Sequence, residues 1–524
     1  MVGRSSSFFY ARSKKKVIFG LDIIKCNVMR RFLHILALAL VACSCCGPTE
    51  SALRMSRMYT DGMVLQRNIP LVIKGHANAC ENVTVTLEGP FGTMTEKAKT
   101  SKEGEWAVEF EPLEAAVGIK LTIEGYGGNT LVYNDVAVGE VWVCSGQSNM
   151  YFRVWESIEN GDLTPDKDLR MFNMEAPFHL SMVEWSDEHV ELAKNMDFFS
   201  PTQWKSCNGE NERAFSAVAY HFGRMLRDHL DVPVGLICNA IGGSPTEAWV
   251  SRGTLETEYP EVLEDWFNNP MINQWCVEMG KINLGYPEYT AATHPFAPTC
   301  LFHTGIETLE QFPVKGVIWY QGESNDFDIP MHEKLFRLLV KDWRNYWDNE
   351  EMPFHFVQLS GLAERYNWGE FRDSQRRLAE EIEHCEMAVS SDYGDANDIH
   401  PRQKRPVGER LARQALKYDY GFDIVPCGPV LTKAVCEEGN VVLSFDYADG
   451  LKTSDAQALR CFEVAGADEV FVPAEAAIVD GKVVLTSTVA QPKYVIYGWQ
   501  GFTTANLVNG EGLPASTFKA TITY

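Results

Sequence analysis

Residues 53–135 alternate apolar and polar positions, as in Val83-Thr84-Val85-Thr86-Leu87-Glu88 and Leu121-Thr122-Ile123-Glu124, with Gly and Pro turn signals between the runs. A period of two buries one face of a strand and wets the other, so this region predicts an all-β sandwich. From Val136 the texture changes to short unbroken apolar runs separated by stretches of helical spacing. Unbroken runs suit strands covered on both faces, and 136–420 therefore predicts an α/β unit: a parallel sheet with helices on both sides. The expected strands are 136–144, 234–238, 314–320, 354–359 and 387–390. The expected helices include 215–230 and 331–347, the latter with Leu335, Leu338, Leu339 and Trp343 on one face. Residues 151–210 are polar with scattered Trp and Phe, and read as an insertion on the substrate side rather than as sheet. After about Tyr420 the period of two returns, in Asn440-Val441-Val442-Leu443 and Lys482-Val483-Val484-Leu485, so a second β-rich region, 421–524, closes the chain.

The first 43 residues alter the expected compartment. They hold eight Lys or Arg against one acid, Asp22, and the pair Arg30-Arg31 precedes an apolar stretch, 32–42, too short to span a bilayer. That is the layout of an export leader starting at Met29. Leu40-Val41-Ala42-Cys43 looks like a bacterial lipobox, with Cys43 lipidated as the first mature residue, so the expectation is a secreted, periplasmic or surface-anchored protein. The chain as a whole has a formal charge of -24. With no basic run beyond the leader, nucleic acid is excluded as a partner. Cysteines such as Cys238, inside Val234-Gly235-Leu236-Ile237-Cys238, sit in apolar runs and read as core residues.

Ligands of an open parallel sheet bind beyond the carboxyl ends of its strands, so the residues following each apolar run carry the candidate chemistry. After the first strand comes Cys144-Ser145-Gly146-Gln147-Ser148-Asn149-Met150, a small-residue turn that presents Ser148 as a nucleophile candidate. After the second comes Ile241-Gly242-Gly243-Ser244-Pro245-Thr246-Glu247, where Ser244 and Glu247 have capping-box spacing and predict a helix start, and the glycines let backbone approach a ligand. The third loop, Gln321-Gly322-Glu323-Ser324-Asn325, supplies amides able to donate to an oxyanion. The last, Asp392-Tyr393-Gly394-Asp395-Ala396-Asn397-Asp398-Ile399-His400, brings a carboxylate close enough to an imidazole to orient a general base. A metal site built from Asp392, Asp395, Asp398 and His400 is disfavoured, because no second histidine stands at ligand spacing.

With CSGQSNM, IGGSPTEAW, GVIWYQGESN and NDIHP in this order, the chain from about 53 to 520 resembles the sialate O-acetylesterase family of SGNH (GDSL-like) hydrolases. The resemblance implies an SGNH-type parallel sheet flanked by N-terminal and C-terminal β-rich domains, no metal and no organic cofactor. It also implies Ser148 as nucleophile, His400 as base, and an oxyanion hole from the N–H of Ser148 and Gly243 with Gln321 or Asn325. Gln147, Gly242 and Glu323 are expected at the substrate. Two departures follow. The third block offers Gln321 where an asparagine is usual, and Asn397 stands where the acid usually lies, so Asp398, another aspartate or a carbonyl orients His400. The implied activity is hydrolysis of O-acetyl esters, foremost of 9-O-acetylated sialic acids. Acetylated xylan or another plant glycan is the alternative substrate, and an inert glycan-binding lipoprotein the alternative function. For an anionic sugar, Arg372 or Arg402 is the expected local cation.

Overall fold

The computed structural model describes residues 52–159, 163–178, 180–287 and 293–524. The expected leader, with Met29 and Cys43, lies outside the described residues. Among those described, no helix is long and apolar enough to cross a membrane.

Seven strands form the centre: β1 (Thr130–Gly146), β2 (Asp166–Asn173), β3 (Lys205–Cys207), β4 (Val234–Cys238), β5 (Gly316–Tyr320), β6 (Phe354–Val357) and β7 (Met387–Ala388). Their spatial order is β7-β6-β5-β1-β4-β2-β3. All pairings are parallel except that of the edge strand β3, which runs antiparallel to β2. The chain lays β2 and β4 on one side of β1 and then crosses to lay β5, β6 and β7 on the other. The carboxyl ends of β1, β4 and β5 therefore border the crevice where such sheets bind ligands.

The helices that bear on the site and the sheet are α1 (Ser148–Tyr151), α2 (Ala217–Leu230), α3 (Ile329–Tyr346), α4 (Trp368–Glu381) and α5 (Arg405–Tyr418). Alternate residues of β1 face opposite ways. Trp142 and Cys144 join a core with Phe222 and Leu226 of α2 and Leu411 and Ala415 of α5. Val141 and Val143 join another with Leu335, Leu339 and Trp343 of α3. Burial on both faces is why these strands read as unbroken apolar runs. Ser216 caps α2 by accepting from the Ala219 N–H, and Asp328 caps α3 by accepting from the Met331 N–H, so each helix starts within two residues of its expected position.

Strand β1 joins two regions. Its first half pairs antiparallel with the strand Ala116–Glu124, and Val64–Gln66 runs parallel beside its middle. The division expected at 135/136 falls inside this strand. It is exposed or half-exposed up to Asp135 and buried from Val136 onward, so the change of texture marks where one wet face becomes none.

Two expectations are corrected. The segment 151–210 is not wholly outside the sheet: β2 pairs along its length with β4, and β3 adds an edge. Arg170 breaks the apolar run of β2 and hid it, yet this arginine is buried, donating to the Gly62 carbonyl at 3.0 Å and to the Asp135 carboxylate at 3.1 Å. Nor is Arg372 a cation for a ligand. It is wholly buried on α4 and its guanidinium donates to the carbonyls of Ser360, Gly498, Gln500 and Gly501. That clamp fastens the C-terminal β region to the sheet. The C-terminal region has antiparallel sheets and its own core around Leu443, Val483 and Tyr497.

Candidate active site

The carboxyl ends of β1, β4 and β5 are tied by backbone: Gln147 N–H donates to the Tyr320 carbonyl at 2.9 Å and Ile241 N–H to the Gly146 carbonyl at 3.1 Å. Gly146, at φ 132°, makes this turn possible, since a Cβ there would stand 2.1 Å from the Tyr320 oxygen. Ser148 follows at once as the first residue of the one-turn helix α1, partly exposed above the sheet. Its hydroxyl lies 2.8 Å from Nε2 of His400, which the loop before α5 delivers from 252 residues away. The His400 imidazole stacks near Phe152, with ring centroids 6.4 Å apart.

Gly242 passes so close that a Cβ on it would meet Ser148 Cβ at 3.6 Å. Among the described residues, the backbone N–H groups of Ser148, Gly242 and Gly243 donate to no protein acceptor. Gly243, at φ 76°, is roofed by Trp275 and Phe296, each of which a Cβ there would strike inside 3.0 Å. Burial, and then the Lys404 ammonium, push the His400 pKa below its ordinary value, against Asp398 and Glu156 which pull it up. A neutral imidazole beside a hydroxyl at 2.8 Å can accept its proton.

Several expected roles do not survive the geometry. Gln321 and Asn325 are both buried. Gln321 Nε2 spends its hydrogens on the Ser244 carbonyl at 3.3 Å and Asn325 Oδ1 at 2.6 Å. Asn325 Nδ2 donates to Glu247 at 2.9 Å, and Asn325 Oδ1 accepts from the Thr246 N–H at 2.9 Å. The two amides thus wire the second loop to the third instead of facing a ligand. Glu247 sits in that network with its pKa raised to about 7 by burial, and Ser244 donates to the Gly146 carbonyl at 3.3 Å. No capping box forms, and a short 3-10 turn, Thr246–Trp249, replaces the expected helix.

Asp398 Oδ1 stands 3.8 Å from His400 Nδ1, beyond hydrogen-bond reach, and accepts instead from the His400 backbone N–H at 2.8 Å. It shapes the loop more than it holds the ring. Asp392 is bonded through both oxygens to Arg410, each at 2.7 Å. Gln147 is buried, with its Oε1 accepting from Gly322 N–H at 3.3 Å, and Glu323 is buried beneath the turn. Neither side chain is open to a substrate. Arg402 is exposed two residues after His400, where its Nε donates to the Glu156 carbonyl at 2.9 Å.

The family described as carbohydrate esterase, sialic acid-specific acetylesterase matches residues 138–271 and 301–417, which include all four loops. A solved carbohydrate acetylesterase from Xanthomonas citri superposes with a TM-score of 0.74 at 30% identity, covering 90% of this chain and 99% of its own. The chain belongs to the sialate O-acetylesterase family. It is a carboxylic ester hydrolase acting on carbohydrate O-acetyl groups. The sialate O-acetylesterase of Mus musculus is 29% identical over 446 residues, 78% of this chain and 81% of that protein. Its Homo sapiens counterpart is 29% identical over 401 residues, 70% of this chain and 71% of that protein.

The structure adds Asn149 and Lys404, which the sequence does not mark as site residues. In this family member both are buried against the Ser148 turn, Lys404 bonding Asn149 directly. Their signals were present but bland. Asn149 adjoins the nucleophile candidate, whereas Lys404 stands among Arg402, Gln403 and Arg405, polar neighbours that suggest an exposed position.

Proposed function

We propose that the chain removes O-acetyl groups from sialic acids, foremost the 9-O-acetyl ester, by acyl transfer through Ser148 in an SGNH-type site. The observation that carries this reading is the 2.8 Å contact between Ser148 Oγ and His400 Nε2 at the carboxyl edge of the sheet.

His400 takes the hydroxyl proton as Oγ attacks the acetyl carbonyl carbon. The carbonyl oxygen becomes an oxyanion that accepts from the N–H groups of Ser148, Gly242 and Gly243. The C–O bond to the sugar then breaks, the sugar hydroxyl leaves with the proton from His400, and acetyl-Ser148 remains. Water, deprotonated by the same imidazole, attacks the acetyl carbon, and acetate departs as Ser148 regains its proton. Arg402, exposed beside His400, is placed to attract the sialate carboxylate despite the acidic mean charge. The stretch from Met29 to Ala42 fits an export leader with Cys43 as the first mature residue, which would put the esterase outside the cytoplasm, where acetylated glycans are met.

The test compares acetate release by the chain from 9-O-acetylated sialic acid and from acetylated xylo-oligosaccharides, with the Ser148→Ala variant beside it. Preference for the sialic acid, lost in the variant, is the expected outcome. Preference for the xylo-oligosaccharide would keep the mechanism and overturn the substrate, and release of acetate by Ser148→Ala would overturn the mechanism.

A further inference from the structure

The turn bearing Ser148 and the loop bearing His400 come from strands on different sides of β5, and what joins them is a buried polar strut. Asn149, adjacent to the nucleophile and fully buried, uses its whole amide. Nδ2 donates to Glu323 Oε1 at 2.6 Å and to the Ile399 carbonyl at 3.0 Å, and Oδ1 accepts from Lys404 Nζ. One side chain therefore bonds the third loop and both flanks of His400. Lys404 is itself buried, with its ammonium 4.7 Å from the Phe152 ring centroid and 5.6 Å from that of Tyr320, and makes no direct carboxylate salt bridge among the described residues. Burying an ammonium is costly, and one held by a neutral amide and two aromatic faces has been placed where its charge is felt.

We propose that Lys404 is a positioning residue for the acyl transfer assigned above to Ser148, locking the His400 loop onto the Ser148 turn through Asn149. The proposal rests on that reading of Ser148. The groups facing Lys404 are Glu323, Asp398, Glu159 and Glu156, all of which raise its pKa, yet burial outweighs them and takes it down to about 7. The groups facing His400 are Lys404, which lowers its pKa, and Asp398 and Glu156, which raise it. The lysine thus favours the neutral, basic form of His400 as well as its place.

Lys404→Met keeps the length of the side chain and removes the charge. The expected result is a loss of kcat of about 10²-fold, the scale of a 1 Å misplacement at a reacting centre, with KM within about threefold. The acidic limb of the kcat/KM profile moves to higher pH, because His400 protonates more readily without the cation, and a merely structural lysine would leave that limb in place. Asn149→Ser, too short to reach Lys404 and Glu323, loses kcat similarly, and the double variant is no slower than the worse single one. A Lys404→Met protein with unchanged thermal unfolding, wild-type kcat and an unmoved acidic limb overturns the proposal. So does loss of fold in both single variants, which would make the strut purely structural. Ser148→Ala separates the two readings. If it still releases acetate, the Ser148 mechanism has failed; if it is inactive while Lys404→Met matches wild type, only this proposal has.

Discussion

Helix α5, about 21 Å long from its 14 residues, has a histidine and an aspartate at each end, and the two pairs are built in opposite ways. Beyond its C-terminus, Asp419 accepts from His355 Nε2 at 2.7 Å, with the side chains 6% and 1% exposed. Before its N-terminus, Asp398 and His400 stand 3.8 Å apart, with the side chains 55% and 38% exposed. The well-made pair has no serine hydroxyl among its bonds. His355 stacks on Trp142, centroids 5.8 Å apart, and fills the layer between β6 and α5. The loosely made pair touches Ser148. A close histidine–carboxylate contact is therefore no mark of catalysis here. On the proposed mechanism the marks are access from solvent, a place at the carboxyl edge of the sheet and a hydroxyl within reach of Nε2.

The two ends should differ most in Ser148→Ala and His400→Ala, each expected to lower acetate release by at least about 10³-fold, as removal of a nucleophile or its base does. Thermal unfolding should be unchanged, because both side chains are partly open to water. His355→Ala should behave in reverse. It strands a buried carboxylate and costs about 3–5 kcal/mol of stability, read as a lower midpoint in denaturant, while activity per folded molecule is kept. Asp398→Asn is the small case. The amide oxygen still accepts from the His400 N–H, so a loss in kcat of about threefold to tenfold is expected, where an acid bonded to the ring would cost thousands. Smallest is a shift in pH response. Burial and Lys404 depress the His400 pKa, so the acidic limb of kcat/KM should lie below the ordinary histidine midpoint of about 6.5.

The two ends of α5 also explain what could be read from residues alone. Val234–Cys238 emerges with the bounds its apolar run suggested, since nothing polar interrupts a strand buried on both faces. The strand β2 stayed hidden because its buried Arg170 is balanced by Asp135 and Gly62, residues distant in sequence. The four loops were legible because β-strand ends recur as short apolar runs followed by small and polar residues. The duties within them were not. Gln321, Glu323 and Asn325 are polar in any list, and only the folded chain turns their groups toward Ser244, Asn149 and Glu247, below the ligand side. Lys404 is harder still, as burial alone separates it from its exposed neighbours Arg402 and Arg405.

The most direct test of the Ser148–His400 account is to treat the protein with a serine-directed organophosphate and locate the adduct by mass spectrometry. The account predicts a single adduct on Ser148, formed far more slowly in His400→Ala and unaffected by removing His355. An adduct on another serine, or equal labelling of Ser148 without His400, would contradict it.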